Sequence, residues 1–279
     1  MRFFAFACRL SAQKGDAADT NFLFTNPIKY GKMKRAFEKR GDIVRLDKFL
    51  TVTATATRSE AARAVRADAV LVNGVPAKSA SVHIDPERDT VEFCGKPVVY
   101  RAHHYIILNK PEGYVSATED GKDPTVLELL PPKYTALGLF PCGRLDKNTK
   151  GLMLLTDDGD LAHRLLSPRR HVAKRYYFRV KFPLAEAECA RFRDGLVLED
   201  GYETKPADIE LSPDMTSGVI TLIEGKYHQI KRMMLALHNQ ITHLERISFG
   251  PLTLPSDLAR GAWRELTSEE EELLLAAAK

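Results

Sequence analysis

The spacing of apolar residues predicts a small domain of two helices and short strands near the front of the chain. In the segment 46–50, apolar side chains recur with the i, i+3, i+4 period of one helix face. Residues 57–60, Thr-Arg-Ser-Glu, have the form of a capping box and predict that a second helix begins there. The segments 70–72 and 91–93 predict strands, and Asn-Gly after the first of them predicts a hairpin turn. Residues 42–101 are therefore predicted to form a small α/β domain.

From residue 104 onward, strand and helix patterns follow each other without the regular order of βαβ units. The predicted strands are 105–109, 176–181 and 219–223, and the predicted helices are 160–166, 185–194 and 229–238. Because helices do not alternate regularly with strands, we predict an α+β fold. In this prediction the larger second domain, residues 102–279, has a mainly antiparallel sheet flanked by helices.

Residues 1–41 differ from the rest of the chain. The apolar run after Arg2 is shorter than the core of a secretory signal, and no clean cleavage pattern follows it. The stretch up to Gly15 contains no acidic residue, so a transit peptide stays open, and Met33 is an equally acceptable start. We predict that residues 1–41 are a disordered N-terminal extension that the activity does not need.

Composition restricts the class of protein. Of the 279 residues, 44% are hydrophobic and 28% are charged, which is ordinary for a globular protein. No apolar run approaches the roughly 18 residues that a membrane span needs, so we predict no membrane partner. The four cysteines are dispersed and form no C-x-x-C pair. This dispersal favours reduced thiols in the cytoplasm over a disulfide framework or a zinc site.

The net charge of +4 divides unevenly along the chain. Residues 1–104 carry 18 Lys and Arg against 11 Asp and Glu, whereas the remainder carries 23 against 26. A basic front part indicates a polyanionic partner, although a solvated basic face explains the same charge equally well. The candidate phosphate contacts are Arg45, Lys48, Arg58, Arg63, Arg66 and Lys78. The stretch from Arg45-Leu46-Asp47-Lys48-Phe49-Leu50 through Val72-Asn73-Gly74 resembles the alpha-L RNA-binding domain, which implies that these cations contact RNA.

The segment richest in candidate functional residues is 143–159, a charged, glycine-bounded stretch that leads into an apolar strand. Asp146 stands among Arg144, Lys147 and Lys150, whose positive charges favour an ionised carboxylate. Residues 144–181 hold ten Lys and Arg against four acidic residues. A lone carboxylate in such basic surroundings indicates a functional group, although a surface ion-pair cluster accounts for the composition as well.

This segment closely resembles the signature loop of the pseudouridine synthases, whose G-R-L-D-x-x-T-x-G-L pattern carries one catalytic aspartate. The matching residues are Gly143, Arg144, Leu145, Asp146, Thr149, Gly151 and Leu152. Residues 109–113 resemble the family's N-K-P-x-G piece, residues 174–176 its K-x-Y piece, and residues 224–233 its third motif. The likeness is strongest to the branch that acts on small-subunit (16S) ribosomal RNA.

The resemblance implies a role for each matching side chain. Asp146 is the catalytic carboxylate, either as a nucleophile or as a base. Tyr176 stacks on the flipped uracil, and Lys231, where other branches have arginine, pairs with Asp146. Leu222 forms an apolar floor under the base or only part of the core, and Arg144 fills the gap left by the base or holds a phosphate. The further predicted RNA contacts are Lys110, Lys147 and Lys226.

The resemblance also implies an isomerase that needs no cofactor and no metal. The expected partner is ribosomal RNA or the assembling small ribosomal subunit, and we expect a monomer. Two alternatives stay open: a synthase for large-subunit ribosomal RNA and a ribosome-assembly RNA-binding protein without catalysis. An aspartate-dependent hydrolase ranks last, because a second carboxylate at a convincing spacing is lacking.

Overall fold

The computed structural model describes residues 43–86, 88–100, 103–135, 137–167 and 170–279. The prediction for residues 1–41 lies outside the described residues. The chain divides into two compact units, and the described residues up to 100 form the first together with residues 131–138. The second unit comprises residues 103–130 and 139–279, so the segment 131–138 departs from the predicted boundary. No helix in the described ranges is long and apolar enough to cross a membrane.

The first unit joins two helices to short antiparallel strands. Its elements are β1 (Val44–Arg45), α1 (Leu46–Val52), α2 (Arg58–Arg66), β2 (Val70–Val72), β3 (Val75–Pro76), β4 (His83–Ile84), β5 (Val91–Phe93), β6 (Lys96–Val98) and α3 (Pro132–Thr135). The strands pair in the order β3-β2-β5-β6, and β1 pairs with β4. Leu46, Phe49 and Leu50 of α1 pack with Ala61 and Val65 of α2 in the core of this unit.

Local signals determine where these elements begin and end. The Glu60 amide donates to the Thr57 hydroxyl and the Thr57 amide donates to the Glu60 carboxylate, so the predicted capping box opens α2. Asn73 and Gly74 both have positive φ, as the tight hairpin turn between β2 and β3 requires. The predicted helices and the first hairpin are confirmed.

The second unit is built on one large sheet. Its elements are β7 (Tyr105–Lys110), a 3₁₀ turn (Val126–Leu129), β8 (Phe140–Pro141), β9 (Lys150–Thr156), α4 (Gly159–Leu166), β10 (Lys174–Val180), α5 (Glu186–Asp194), β11 (Asp208–Leu211), β12 (Ser217–Leu222), α6 (Gln229–Leu235), β13 (Ile241–Phe249), β14 (Leu252–Thr253), β15 (Trp263–Glu265) and α7 (Ser268–Ala277). The strand order is β11-β12-β10-β13-β9-β7-β15, with β14 on β13 and β8 on β9. The β9–β13 pair is parallel and the other described pairs of this sheet are antiparallel, so the predicted α+β class is confirmed.

The central strands β7 and β9 are covered on both faces. All of β7 is buried, and so is β9 after its first residue. Leu161 of α4 and Leu274 of α7 share one apolar cluster with Ile107 of β7 and Leu154 of β9. Because both faces are covered, neither strand shows the alternation of a half-exposed strand. This rigid centre places the end of β7 beside the start of β9, where Lys110 pairs with Gly151.

The helix predicted over 229–238 ends at Leu235. The Leu237 amide donates to the Met234 carbonyl and the His238 amide to the Leu235 carbonyl, which is the tighter i to i+3 pattern of a turn. His238 has a left-handed φ of 57°, so the chain cannot continue as a helix beyond it. The face of α6 that carries Ile230, Met233 and Met234 is buried as predicted.

Candidate active site

Asp146 lies in the loop between β8 and β9, and hydrogen bonds hold the loop backbone on both sides of it. The Thr149 amide donates to the Asp146 carbonyl at 3.0 Å, which closes a turn around the carboxylate. Ser116 Oγ donates to the Leu145 carbonyl at 2.8 Å and accepts from the Leu145 amide at 2.9 Å. The Leu145 side chain is buried. The position of the Asp146 backbone is therefore determined by contacts within the protein.

Lys110 supports the same loop from the inside. Its side chain is fully buried, and its Nζ lies 2.8–3.1 Å from four carbonyl oxygens, those of Pro111, Asp146, Lys147 and Thr149, which share its three N–H donors. Burial lowers the pKa of Lys110 to about 8, and the Asp146 carboxylate opposes this shift. The structure corrects the predicted RNA contact of Lys110, because loop carbonyls surround the ammonium and the side chain has no surface that a ligand could touch.

The Asp146 carboxylate is 26% exposed and is close to two side chains at the start of α6. Lys231 Nζ donates to Oδ2 at 2.7 Å, and Thr149 Oγ1 donates to the same oxygen at 3.4 Å. His228 Nε2 lies 3.5 Å from the other oxygen, Oδ1. The structure therefore brings together Asp146 and Lys231, which the family motif pairs, and it adds His228.

His228 is a site residue that the motif comparison leaves unassigned. It precedes Lys231 by three positions, so the two side chains share one side of the helix start. Its φ of 49° lies in the left-handed region, at the point where the loop turns into α6. The i, i+3 spacing from Lys231 is the sequence signal that could have identified it.

Gly151 and Arg246 fix the parallel contact between β9 and β13 next to the Asp146 loop. Gly151 has a φ of 101°, and a Cβ built there would lie 2.3 Å from the Arg246 carbonyl oxygen. Arg246 is only 1% exposed and its Nε donates to the Leu152 carbonyl at 2.7 Å. Only glycine allows this close approach of two backbones. Close packing of the two strands thus explains why the signature motif has glycine at position 151. The buried Arg246 is a structural residue that the sequence analysis did not identify.

Tyr176 and Leu222 lie on neighbouring strands at the same end of the sheet. Tyr176 of β10 pairs with Arg246, which pairs with Gly151, so two strand spacings of about 4.8 Å separate Tyr176 from the start of β9. Leu222 of β12 is two residues from Ile220, the partner of Tyr176, so the two side chains share a face. Both are buried.

In the first unit, the predicted RNA contacts are mostly exposed cations. Arg45 is 54% exposed and pairs with Asp47 at 2.8 Å, and Lys48 is half-buried. The other predicted contacts, Arg58, Arg63, Arg66 and Lys78, are exposed and have no part in that pair. Arg66 and Lys78 line one surface cleft of about 450 Å³. Their exposure leaves these four charges accessible to phosphates.

In the second unit, three predicted site cations lie at the surface. Arg144 is exposed directly before Leu145. Lys147 is exposed and pairs with Asp123 at 2.6 Å. Lys226 is exposed, with its Nζ 4.9 Å from the centroid of the Tyr202 ring. All three are accessible to a ligand, in contrast to Lys110.

Two regions of the chain match known families. Residues 104–236 match the family described as RNA pseudouridylate synthase, and residues 44–90 match the S4 domain. The first range contains the signature loop, the K-x-Y piece and Lys231. The second contains residues 45–74, the stretch that resembles the alpha-L RNA-binding domain.

Whole proteins and a solved structure are similar over most of the chain. The uncharacterized RNA pseudouridine synthase YtzG of Bacillus subtilis is 44% identical over 83% of this chain and 98% of its own length. The ribosomal small subunit pseudouridine synthase A of Yersinia pestis is 42% identical over 81% and 96%, and that of Escherichia coli is 40% identical over 81% and 98%. A crystal structure described as pseudouridylate synthase is 39% identical, with a TM-score of 0.59 over 83% of this chain and 99% of that one.

Proposed function

Because the chain belongs to the RNA pseudouridylate synthase family, and is an isomerase with an S4 domain, we propose that it converts a uridine of small-subunit (16S) ribosomal RNA to pseudouridine. The names of the Yersinia pestis and Escherichia coli relatives support the small-subunit substrate. The observation that carries the proposal is the hydrogen bond from Lys231 of α6 to the carboxylate of Asp146, which lies on a glycine-bounded loop. A large-subunit substrate is the alternative within the same reaction class.

The proposed reaction is an isomerisation that begins with base flipping. Extruding the uridine from its stack gives Asp146 access to the glycosidic bond. The bond between ribose C1′ and uracil N1 breaks, the base turns, and C1′ joins C5. The C5 proton is lost and N1 gains a proton, so the atoms balance. Asp146 acts as a nucleophile or as a base toward the ribose, and both roles require the ionised carboxylate that Lys231 pairs with.

The side chains around Asp146 fit complementary roles in this proposal. Tyr176 stacks on the flipped uracil, and Leu222, which shares its sheet face, forms an apolar floor below the base. Arg144, exposed beside the loop, fills the gap in the RNA stack or holds a phosphate. Lys231 is a point charge rather than a bidentate clamp, because an ammonium lacks the fork geometry of a guanidinium.

We propose that the S4 domain binds the RNA backbone. Its exposed cations are suited to phosphates, and the same is true of Lys147 and Lys226 in the second unit. The proposed RNA-contact set is Arg45, Lys48, Arg58, Arg63, Arg66, Lys78, Lys147 and Lys226. The cytoplasmic location and the monomeric state remain predictions.

The decisive experiment maps pseudouridines chemically in ribosomal RNA from cells that lack the protein. We expect one small-subunit site to lose its modification and wild-type protein to restore it. Asp146→Asn is nearly isosteric but uncharged, so it should not restore the site. Asp123→Asn, which removes a carboxylate from the surface pair with Lys147, is the matched control and should restore it. Rescue by Asp146→Asn would contradict the catalytic role, and loss of a large-subunit site would change the proposed substrate.

A further inference from the structure

An exposed aromatic ring lies beside the candidate active site. Tyr227 is 76% exposed, although large aromatic side chains are usually buried. One face of its ring stacks on His228, with centroids 3.9 Å apart and planes 18° apart. The exposure leaves the rest of the ring in contact with solvent. Among the described residues, the contact with His228 leaves most of the Tyr227 side chain exposed, so burial does not explain an aromatic residue at this position.

The segment that presents Tyr227 is held by a buried network. The Glu224 carboxylate, 8% exposed, accepts from Tyr202 Oη at 2.7 Å, from the Lys205 amide at 2.9 Å and from Gln229 Nε2 at 2.6 Å. Gln229 Oε1 in turn accepts from the Lys226 amide at 2.9 Å. These bonds fix both ends of the turn 226–229. The exposed ring is thus pre-positioned, which lowers the entropy cost of binding a ligand on it.

His228 connects the exposed ring to the catalytic carboxylate. Its Nε2 lies 3.5 Å from Asp146 Oδ1, and its ring face covers Tyr227. His228 therefore contacts Asp146 through the edge of its ring and Tyr227 through the face of its ring. The exposed Lys226, next to Tyr227 in sequence, adds a positive charge that attracts a phosphate backbone. A flat, open aromatic ring in a basic setting is the chemistry that binds unpaired bases.

We propose that Tyr227, backed by His228, is a stacking site for an unpaired RNA base next to the target uridine. The inference deepens the proposed function, on which it rests, by adding a binding subsite for the flanking nucleotide. Stacking on an aromatic ring is largely independent of base identity, so the site orients the RNA strand and does not read its sequence. Tyr227 is accordingly a positioning residue.

The test uses the full chain and a short single-stranded oligouridylate that carries one 2-aminopurine, whose fluorescence is quenched by stacking. Wild type and Tyr227→Phe should quench the fluorescence, and Tyr227→Ala should not. Tyr227→Ala should also weaken the affinity about tenfold, because one stacking contact is lost. Phe182→Ala is the matched control: Phe182 is 53% exposed beyond the far end of β10, and its removal should change neither quantity.

Two results would overturn this proposal. One is equal quenching and affinity for Tyr227→Ala and wild type, and the other is absence of quenching by wild type itself. Pseudouridine formation in ribosomal RNA is measured separately. If wild type modifies the RNA and Tyr227→Ala binds the probe unchanged, only the stacking site is wrong. If wild type modifies no ribosomal RNA, the proposed function is wrong, and the fluorescence assay still decides the stacking site because it needs binding alone.

Discussion

Replacing Gly151 by alanine tests why the signature loop ends in glycine. Two costs are expected at this position. An alanine at a φ of 101° leaves the favoured backbone regions, which costs about 1–2 kcal/mol. The new Cβ would also lie 2.3 Å from the Arg246 carbonyl oxygen and 2.8 Å from the Arg246 nitrogen, so β9 and β13 must separate. Overpacking of this kind costs a further 1–3 kcal/mol or so.

The chain offers controls that separate the two costs. Gly113 has a φ of 92° but no heavy atom within 4 Å of its built Cβ, so Gly113→Ala bears only the backbone cost. Gly159 has neither a positive φ nor a close neighbour, so Gly159→Ala should be neutral or slightly stabilising. We expect the free energy of unfolding to fall by about 2–5 kcal/mol for Gly151→Ala and by about 1–2 kcal/mol for Gly113→Ala.

Urea unfolding followed by tryptophan fluorescence measures this series. Trp263 is the single tryptophan of the chain and lies in β15, so the signal reports on the second unit. Because Gly151 follows Asp146 by five residues, Gly151→Ala should also reduce kcat for pseudouridine formation more than Gly113→Ala does. If Gly151→Ala destabilises no more than Gly113→Ala, the close approach to Arg246 is not the reason for glycine at this position.

Three further variants probe the site and the RNA surface. Lys110→Met leaves four loop carbonyls without their donor, so the free energy of unfolding should fall by about 3 kcal/mol in the same urea assay, with unchanged RNA affinity. Lys231→Met removes the cation beside Asp146. It should lower the rate constant of the chemical step roughly 100-fold in single-turnover kinetics, with little change in the affinity for RNA. Arg63→Gln combined with Arg66→Gln should lower the slope of log affinity against log salt by about 1.5, measured by RNA binding at several salt concentrations.

Each of these expectations has a result that contradicts it. If the Lys110→Met protein has wild-type stability but binds RNA more weakly, Lys110 contacts RNA after all, and its burial does not exclude that contact. If Lys231→Met forms pseudouridine at the wild-type rate, the ammonium is not needed for the reaction. If Lys231→Arg is faster than Lys231→Met, a cation is needed at this position. An unchanged salt slope in the double arginine variant would place the phosphate contacts elsewhere.

Features encoded within a few residues were predictable. The capping box at Thr57, the Asn73-Gly74 hairpin and the buried face of α6 each depend on neighbours in sequence, so they were found. The sequence predicts the end of α6 three residues too late, because the tight turn that ends at His238 has no composition signal such as glycine. The buried strand β7 was recognised as a continuous apolar run, but its pairing with β15 was not foreseen.

The sequence by itself determined the class of fold and singled out Asp146 as the group proposed to react. The loop motif around Asp146 is local, and the apolar periods that specify an α+β chain are local as well. Only the tertiary structure decided which distant groups meet that loop. Lys110 reaches the Asp146 carbonyl from 36 residues away, Lys231 reaches its carboxylate from 85, and Arg246 reaches Leu152 from 94. Such contacts depend on how the strands pair, which the local sequence does not specify. The sequence therefore does not distinguish a lysine that is buried among carbonyl oxygens, such as Lys110, from a lysine that binds RNA at the surface.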